Sequence, residues 1–445
     1  MATSRESRRA SALRATADAA PDIGTNDGIV ASTAAASAAA SAAVVDDLPT
    51  SSVEIKDHRS FARGGFSTIV AGTFLDPAAG SSNCVATKVA LKCAAVKDDC
   101  HPGASDASLS DCLLRKEAYL YGYLKHPALL RCFGSLTTAG GKHALVLELM
   151  EGGSLQNVFT EAQRVAAARA AGATARFIPA FMSDHWLVQK LRTAVAYRIT
   201  TTPVATAPPP TSRVAASTTM AVANIAHDLL PAAFTARVLR DVASALTYLH
   251  ELQHAHGDVQ KGNVLLEVTP DAWLSAADVD DDGWRDSARP IARLSDLGTV
   301  RDLRIPGDLP SIYMPVPGVR SWPGAQVFTS PAITAPEVLR GAPKCILKPW
   351  TPMSDVWSWG VLTWELTTGK EAWSDLPSIV CVRRQVLAGK DLQWPDMAPA
   401  GFDAMQKLGQ SALARDADAR PSSRQLLVAM NAVVASLDVG RPSGL

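Results

Sequence analysis

An aspartate and an asparagine in the middle of the chain have side chains and a spacing that could support catalysis with a metal ion. Asp258 and Asn263 lie five residues apart on one predicted loop, directly before the apolar run Val264–Leu266. An aspartate can accept a proton from an attacking group, and an asparagine oxygen can bind a hard metal ion. A third polar residue, Asp296, begins the sequence Asp-Leu-Gly after a predicted strand at 291–294.

A glycine turn and a lysine in the first third of the chain could bind phosphate. Gly64 and Gly65 lie between two predicted strands, where glycine lets backbone N–H groups approach phosphate oxygens. Lys92 ends the sequence Val-Ala-Leu-Lys, and in an alternating strand it shares a face with Ala90. Glu117, on the next predicted helix, could pair with Lys92. Taken singly, a hairpin, a solvated lysine and a surface glutamate are commoner explanations, so the hypothesis depends on their combination.

The secondary-structure elements that must position these residues change in character along the chain. Strands with tight turns are predicted over 53–96, a helix over 109–125 and a strand over 143–149. Beyond residue 230 helical periodicity dominates, at 234–250, 354–368, 379–388 and 402–413. A strand-rich first part and a helix-rich second part predict two lobes with a cleft between them.

Three segments differ in composition from the rest. Residues 1–52 are predicted to be a low-complexity tail, because the first 50 include no aromatic residue and 31–43 is entirely Ala, Ser and Thr. Arginines among its small residues leave a transit-like peptide open, although acidic residues weaken that interpretation. Two insertions are predicted, one rich in Ala, Thr and Pro near 160–226 and one acidic near 269–290.

The overall composition excludes several classes of protein. With 43 basic and 43 acidic residues, the net charge of zero gives no support for nucleic-acid binding or a polybasic membrane surface. No apolar run is long enough for a membrane span. The seven cysteines show no Cys-x-x-Cys spacing, which argues against a disulfide scaffold or a zinc ribbon. We expect a cytoplasmic location, with organelle targeting by the N-terminal segment left open.

Eight short elements, taken in order between residues 61 and 427, resemble the protein kinase family. They are the glycine turn at 61–69, Val-Ala-Leu-Lys at 89–92, Arg-Lys-Glu at 115–117, the loop at 256–263, Asp-Leu-Gly at 296–298, Ala-Pro-Glu at 335–337, the segment 354–360 and Arg-Pro at 420–421. The resemblance implies an α+β fold with a β-rich N-lobe and a helical C-lobe. We predict a kinase domain over 53–437, with the N-lobe at 53–148, the hinge at 148–153 and the C-lobe at 154–437.

The resemblance also implies an activity, a substrate class and a set of catalytic residues. The protein would use ATP and Mg²⁺ to phosphorylate a protein substrate. Lys92 would hold the α- and β-phosphates, and Glu117 would anchor it. Asp258 would accept the proton of the attacking hydroxyl, while Asn263 and Asp296 would bind magnesium.

Further residues of the nucleotide site and of the scaffold follow from the same resemblance. The backbone at Glu148 and Met150 would pair with adenine, and Leu147 matches the gatekeeper. The nucleotide would also contact Ala62, Gly64, Gly65, Ile69, Ala90 and Leu265. A Glu337–Arg420 ion pair and Asp355, as an anchor of the catalytic loop, would stabilise the fold.

Four positions depart from the family pattern. Ala62 and Ser67 replace two of the three glycines of the phosphate loop. Gly257 stands where the family has an arginine that meets a phosphate on the activation segment, so we predict that activity does not need such phosphorylation. Gln260 stands where Ser/Thr-type kinases carry a lysine, and Lys261, the next residue, is the candidate to replace it at the phosphate.

The sequence leaves alternatives open for both the substrate specificity and the activity. Position 262 is Gly and lacks the arginine of tyrosine kinases, Ser330 matches a Ser/Thr-kinase position, and 359–366 is similar to the tyrosine-kinase-like branch of Ser/Thr kinases. Ser/Thr specificity is therefore favoured. Gln260 and the reduced glycine loop keep a pseudokinase scaffold as the alternative. A remote one is a zinc protease, because 250–254 reads His-Glu-x-x-His.

Overall fold

The structure is a computed structural model, and it describes most of the region that the sequence assigns to the two lobes. The residues described are 47–55, 60–63, 67–75, 86–94, 109–138, 143–170, 230–270, 273, 289–304, 330–340 and 350–439. Gly64 and Gly65 lie outside them, and of Ala62 only the backbone is described.

An antiparallel sheet forms the first lobe, as predicted. Its strands are β1 (Val53–Glu54), β2 (Ser60–Arg63), β3 (Ser67–Leu75), β4 (Ala86–Ala94), β5 (Cys132–Thr137) and β6 (His143–Glu148). They pair in the order β1-β3-β4-β6-β5, and β2 also pairs with β3. Strand β4 alternates: Val89 and Leu91 pack into an outer cluster, whereas Ala90 packs into the main core. This alternation directs Lys92 to the core side of the sheet.

One helix, α1 (Leu109–Tyr123), packs on the core side of this sheet. It ends two residues before the predicted boundary, and Pro127 follows soon after, in a sequence that disfavours helix continuation. The next segment joins the lobes directly: Leu130 N donates to Leu294 O and Leu294 N donates to Ala128 O, both at 2.9 Å. Helix α1 is thereby held close to the strand that precedes Asp296.

The second lobe is helical. Its helices are α2 (Leu155–Ala170), α3 (Ala232–Glu251), α4 (Pro336–Arg340), α5 (Pro352–Thr368), α6 (Ile379–Leu387), α7 (Asp403–Ala412) and α8 (Ser423–Val439). Helix α5 is buried along nearly its whole length, which is the environment that an all-round apolar helix requires. Its Trp359 Nε1 donates to Leu239 O of α3 at 3.1 Å, so the two central helices are joined within the core.

Short strands and two single 3₁₀ turns between the lobes carry most of the polar candidates. The strands are β7 (Gly153–Ser154), β8 (His254–Ala255), β9 (Val264–Leu266), β10 (Ala292–Leu294) and β11 (Arg301–Asp302). β9 pairs with β7 and β10, and β8 pairs with β11. The Leu297–Thr299 turn follows Asp296 directly, and the Lys261–Asn263 turn begins three residues after Asp258, so both aspartates lie at the junction of the lobes.

In three places the described structure extends into a segment that the sequence predicts to be a tail or an insertion. Leu48 N donates to Ser135 O at 2.7 Å and its side chain packs on the outer cluster, so described structure begins before residue 53. Helix α2 continues ten residues beyond 160, the predicted start of the first insertion. Trp273, inside the second insertion, is buried against Phe234. The remainder of the tail and of both insertions lies outside the described residues.

Candidate active site

Lys92 lies between two carboxylates that are distant in sequence. Its Nζ is 2.7 Å from Glu117 Oε2 and 2.9 Å from Asp296 Oδ1. Burial alone would lower the pKa of Lys92, but the two carboxylates raise it well above its ordinary value. The amine therefore stays charged at the junction of the sheet, α1 and the Asp-Leu-Gly segment.

The two carboxylates have different environments. Glu117 is 2% exposed, and burial raises its pKa while Lys92 opposes the rise. Burial alone would raise the pKa of Asp296 too, but Lys92 lowers it below its ordinary value. The Asp296 side chain is 40% exposed, so part of its carboxylate is open to the cleft. Asp296 also has φ +65°, a left-handed conformation that is uncommon for a residue other than glycine and is frequent at functional sites.

Asp258 has one satisfied and one unsatisfied oxygen. Oδ2 accepts from Gln260 Nε2 and from Asn263 Nδ2, both at 2.7 Å. Oδ1 is buried and has no hydrogen-bond partner among the described residues. Burial raises the pKa of Asp258, and the two amide donors oppose that rise. An oriented carboxylate with one unpaired oxygen is suited to accept a proton from a hydroxyl.

Asp355 of α5 holds the loop that carries Asp258 by hydrogen bonds to its backbone. Asp355 accepts from His256 N at 2.7 Å and from Gly257 N at 2.9 Å. His256 Nε2 in turn lies 3.0 Å from Ser295 O, directly before Asp296. The predicted anchor role of Asp355 is thus confirmed, and the anchor also links the Asp258 loop to the Asp296 segment.

The residues present fit a magnesium ion held together with a nucleotide. Asn263 Nδ2 donates to both Asp258 O and Asp258 Oδ2, so its side-chain oxygen is the end left for a cation. With the open part of the Asp296 carboxylate, this supplies the oxygen donors that Mg²⁺ prefers. Among the described residues no group of three or more His, Cys, Asp or Glu could hold a metal ion. Magnesium does not require one, because it commonly binds through one or two protein ligands plus phosphate and water.

The apolar candidates for the adenine site cluster in the main core. Ala90, Leu147 and Met150 are buried there, with Ile69 and Leu265 packed against it and partly exposed. Below this group, Arg293 of β10 forms an ion pair with Glu148 and approaches Met150 Sδ at 3.6 Å. The hinge is therefore tied to the strand that leads to Asp296.

Lys261 does not lie where the phosphate hypothesis needs it. Its side chain is 4% exposed; Nζ is 2.7 Å from Glu365 Oε1 of α5 and 4.2 Å from the centre of the Phe159 ring. The 3₁₀ turn directs Lys261 down into the helical lobe, whereas Gln260 reaches Asp258. The expectation that Lys261 takes the place of the missing lysine is therefore wrong in this structure.

Ser330, which matches a Ser/Thr-kinase position in the sequence, contacts a neighbouring residue. Its Oγ accepts from Ala332 N at 3.4 Å, and no hydrogen bond to Asp258 is found for it in the described region.

The two imidazoles of the His-Glu-x-x-His sequence have different partners. His250 Nε2 lies 3.0 Å from Asp355 Oδ2, and His254 Nε2 lies 2.8 Å from Tyr123 OH. A zinc site at these histidines would require both to leave buried partners.

The predicted structural ion pair is confirmed. Arg420 donates to Glu337 through two nitrogens, at 2.8 and 2.9 Å, and also to Met353 O at 2.7 Å. Its guanidinium lies 5.1 Å from the centre of the Trp357 ring. The Ala-Pro-Glu segment is thus fastened to the end of the helical lobe.

Sequence reasoning missed two residues at this site. In the sequence Gln260 is only a departure from the family pattern, yet its amide donates to Asp258. Lys116 is only the neighbour of Glu117 in the motif at 115–117, yet it is a buried lysine whose amine donates to Gly298 O and Val300 O. Its position beside Glu117 in that motif is the one signal that the sequence offers for it.

Comparisons with known proteins agree with this geometry. The family model described as "Protein tyrosine and serine/threonine kinase" matches residues 55–430. "Mitogen-activated protein kinase kinase kinase 13" of Homo sapiens is 29% identical over 209 residues, which is 46% of this chain and 17% of that protein. The corresponding protein 13-A of Xenopus laevis is 28% identical over 198 residues, 44% of this chain and 16% of its own.

A relative of different name covers a similar region. "Aurora kinase C" of Mus musculus is 27% identical over 183 residues, which is 41% of this chain and 50% of that protein. The chain thus spans less than a fifth of the kinase kinase kinases that it matches and half of the Aurora kinase. In the part of the chain that the structure describes, no helix has the length and apolar character needed to cross a bilayer.

Proposed function

Since this chain belongs to the protein kinase family, we propose that it is an active enzyme that transfers the γ-phosphate of ATP to serine and threonine hydroxyls of proteins. Its similarity to mitogen-activated protein kinase kinase kinases 13 and 12 supports this proposal. The observation that carries the proposal is the position of Lys92 Nζ, 2.7 Å from Glu117 and 2.9 Å from Asp296, in a chain whose Asp258 has one oxygen without a hydrogen-bond partner among the described residues.

Each polar residue has a role in this proposal. The family uses ATP with Mg²⁺. When bound, ATP would supply the phosphoryl group and Mg²⁺ would neutralise the charge that builds on it during transfer. Lys92, held by Glu117, would bind the phosphates, and Asn263 and Asp296 would hold the metal. Asp258 would orient the substrate hydroxyl through its unpaired oxygen and accept its proton. Catalysis then depends mainly on positioning and electrostatics, which a preassembled set of charges favours.

Serine and threonine are the proposed acceptors for two reasons. Position 262 is glycine, so the arginine of tyrosine kinases is missing from the loop. The three similar proteins described with the candidate active site are two kinase kinase kinases and an Aurora kinase, and none of the three carries tyrosine kinase in its name.

One observation favours a second candidate, a pseudokinase scaffold. Gln260 brings a neutral amide to Asp258 where Ser/Thr kinases have a lysine that helps to hold the γ-phosphate. A site without that cation could bind nucleotide and transfer phosphate slowly or not at all.

The deciding experiment is phosphate transfer by the full chain. Purified protein is incubated with radiolabelled ATP, Mg²⁺ and a generic protein substrate, beside Asp258→Asn and Lys92→Met. We expect label on the substrate with the wild type only, and phosphoserine or phosphothreonine by mass spectrometry. Magnesium-dependent ATP binding without transfer would support the scaffold, and phosphotyrosine as the main product would contradict the proposed specificity.

A further inference from the structure

A lysine that the proposed chemistry does not use is buried between α1 and the segment that follows Asp296. Lys116 is 1% exposed, and its Nζ donates to Gly298 O at 3.1 Å and to Val300 O at 2.7 Å. No ion pair with a carboxylate is found for it in the described region. Because a buried ammonium is costly unless its hydrogen bonds are satisfied, the two carbonyls account for its position.

Lys116 connects the two elements that Lys92 needs at the same time. It precedes Glu117 on α1, and its two acceptors follow Asp296 by two and four residues. One side chain thus crosses directly from the helix that carries Glu117 to the segment that carries Asp296. Lys92 can contact both carboxylates only while these two elements keep their present relation.

Helix α1 lies next to the turn that follows Asp296. A Cβ added to Gly298 would lie 3.3 Å from Asp296 Oδ1 and 4.0 Å from Leu113 O of α1, the latter an ordinary van der Waals contact. The two acceptors of Lys116 are a carbonyl inside the Leu297–Thr299 turn and the carbonyl of the residue that follows it. Burial, with Arg301 nearby, lowers the pKa of Lys116 to about 7. Both the charged and the neutral amine carry enough hydrogens to donate to the two carbonyls.

We propose that Lys116 is a positioning residue that fastens α1 to the Asp296 segment and so keeps Glu117 and Asp296 on Lys92 together. The inference rests on the proposed phosphotransfer. If α1 moved away, the amine would lose two buried acceptors and the carbonyls would lose their donor. The assembled arrangement is thereby favoured by the chain itself, without an added partner.

The test compares Lys116→Met with Tyr121→Phe in the full chain. Tyr121 is on the same helix and is 1% exposed, and its hydroxyl has no hydrogen-bond partner among the described residues. It is therefore a matched buried control whose polar atom can be removed without loss. Two readouts are taken: amide hydrogen exchange at 297–302, and kcat and KM for ATP per folded molecule.

For Lys116→Met we expect exchange at 297–302 to accelerate at least about tenfold and kcat to fall roughly tenfold, the size of one or two lost buried hydrogen bonds. Lys116→Arg should recover at least half of both, because it keeps donors in reach. Tyr121→Phe should behave as the wild type. Unchanged exchange in Lys116→Met would overturn the proposal, and so would a loss of thermal stability alone with kcat per folded molecule intact.

The two proposals fail in different ways. If the wild type transfers no phosphate, the proposed function fails, whereas the exchange comparison still decides whether Lys116 fastens the segment. If Lys116→Met does not fold, Lys116→Gln replaces it, because its shorter amide reaches one carbonyl at most. Protection of 297–302 equal to that of Tyr121→Phe would then count against the inference.

Discussion

The side-chain amide of Gln260 donates to Asp258 Oδ2 at 2.7 Å, beside the amide of Asn263 at the same distance. Two neutral donors therefore fix one oxygen of the carboxylate and leave the other, Oδ1, without a partner in the described region. The residue that replaces the family lysine thus has a defined contact, and it orients the proposed base instead of adding charge near the phosphate.

Removing the Gln260 amide should impair chemistry and leave nucleotide binding unchanged. Gln260→Met keeps the size of the side chain but loses the hydrogen bond, which is typically worth about 1 kcal/mol or somewhat more for a charged acceptor. We expect kcat to fall about tenfold, with KM for ATP within twofold of the wild type. Steady-state kinetics at saturating protein substrate measures both. A rise in KM without a change in kcat would instead make Gln260 a nucleotide contact.

Lys92 offers a test with a matched control on the same strand. Lys92→Met leaves two carboxylates without their cation, and we expect phosphate transfer to fall roughly a hundredfold or more, because charge-assisted contacts are the strong ones. Lys88→Met removes a lysine of β4 that is 48% exposed and pairs with Glu151 at the surface. Exposed pairs contribute little, so Lys88→Met should retain most activity in the radiolabel assay. Equal losses in both variants would argue against a special role for Lys92.

Lys261 should affect stability more than chemistry. Lys261→Met leaves Glu365, whose side chain is 10% exposed, without its cation, and breaking such a pair costs about 3 kcal/mol. We expect the urea midpoint to fall while kcat and KM of the folded fraction stay within threefold. The double variant Lys261→Met/Glu365→Gln should recover part of the lost stability. A large rise in KM for ATP would instead show that Lys261 reaches the phosphate after all.

The Glu337–Arg420 pair should make stability depend on acid pH. Burial alone would raise the pKa of Glu337, but the hydrogen bonds and charge of Arg420 hold it below its ordinary value of 4.5. Since the folded-state pKa is depressed, the stabilisation is complete above the ordinary value and is lost as the pH falls through the folded one.

Glu337→Gln should therefore be less stable than the wild type at pH 7, by about 3 kcal/mol, because Arg420 stays buried without its carboxylate. The difference should shrink as the pH is lowered below 4.5. Denaturant unfolding at a series of pH values measures this convergence. A difference that stayed constant down to pH 3 would mean that the carboxylate does not titrate in the folded protein as inferred.

Activity should not depend on phosphorylation between Ser311 and Ser330. Gly257 replaces the family arginine, and its φ of +80° suits glycine; a Cβ there would lie 3.0 Å from Thr299 O. That Cβ would also lie 3.6 Å from Nε of Arg301, whose guanidinium is 5.0 Å from the centre of the Trp350 ring. Alanine or phenylalanine at every hydroxyl residue of 311–330 should leave at least half of the wild-type kcat, as should phosphatase treatment. Loss of activity in both would refute this expectation.

Local patterns determined most elements of the fold. The alternation around Lys92 predicted a strand that places it on one face with Ala90. Helical periodicity predicted the first and last residues of α1, α3, α5, α6 and α7 to within two residues. These signals succeed because solvent and core impose period 2 on strands and period 3.6 on helices. They are weaker at 160–170, where the Ala-rich composition predicts an insertion but the chain continues α2.

The order of short motifs also determined which residues to examine, namely Lys92, Glu117, Asp258, Asn263 and Asp296. What it left open was the direction of neighbouring side chains. Gln260 and Lys261 are adjacent and both polar, yet one reaches Asp258 and the other passes under the loop to Glu365. Helices α2 and α5 decide between them, because they supply the ring and the carboxylate that bury Lys261.

The amino-acid sequence thus identified the chemical groups of the site, and only the tertiary structure decided which of them are in contact. Lys92 joins residues 25 and 204 positions away, and Lys116 crosses 182 positions to Gly298. Such contacts depend on how the sheet, α1 and the Asp296 segment pack on one another. Packing is a property of surfaces brought together from distant parts of the chain, so no local pattern encodes it.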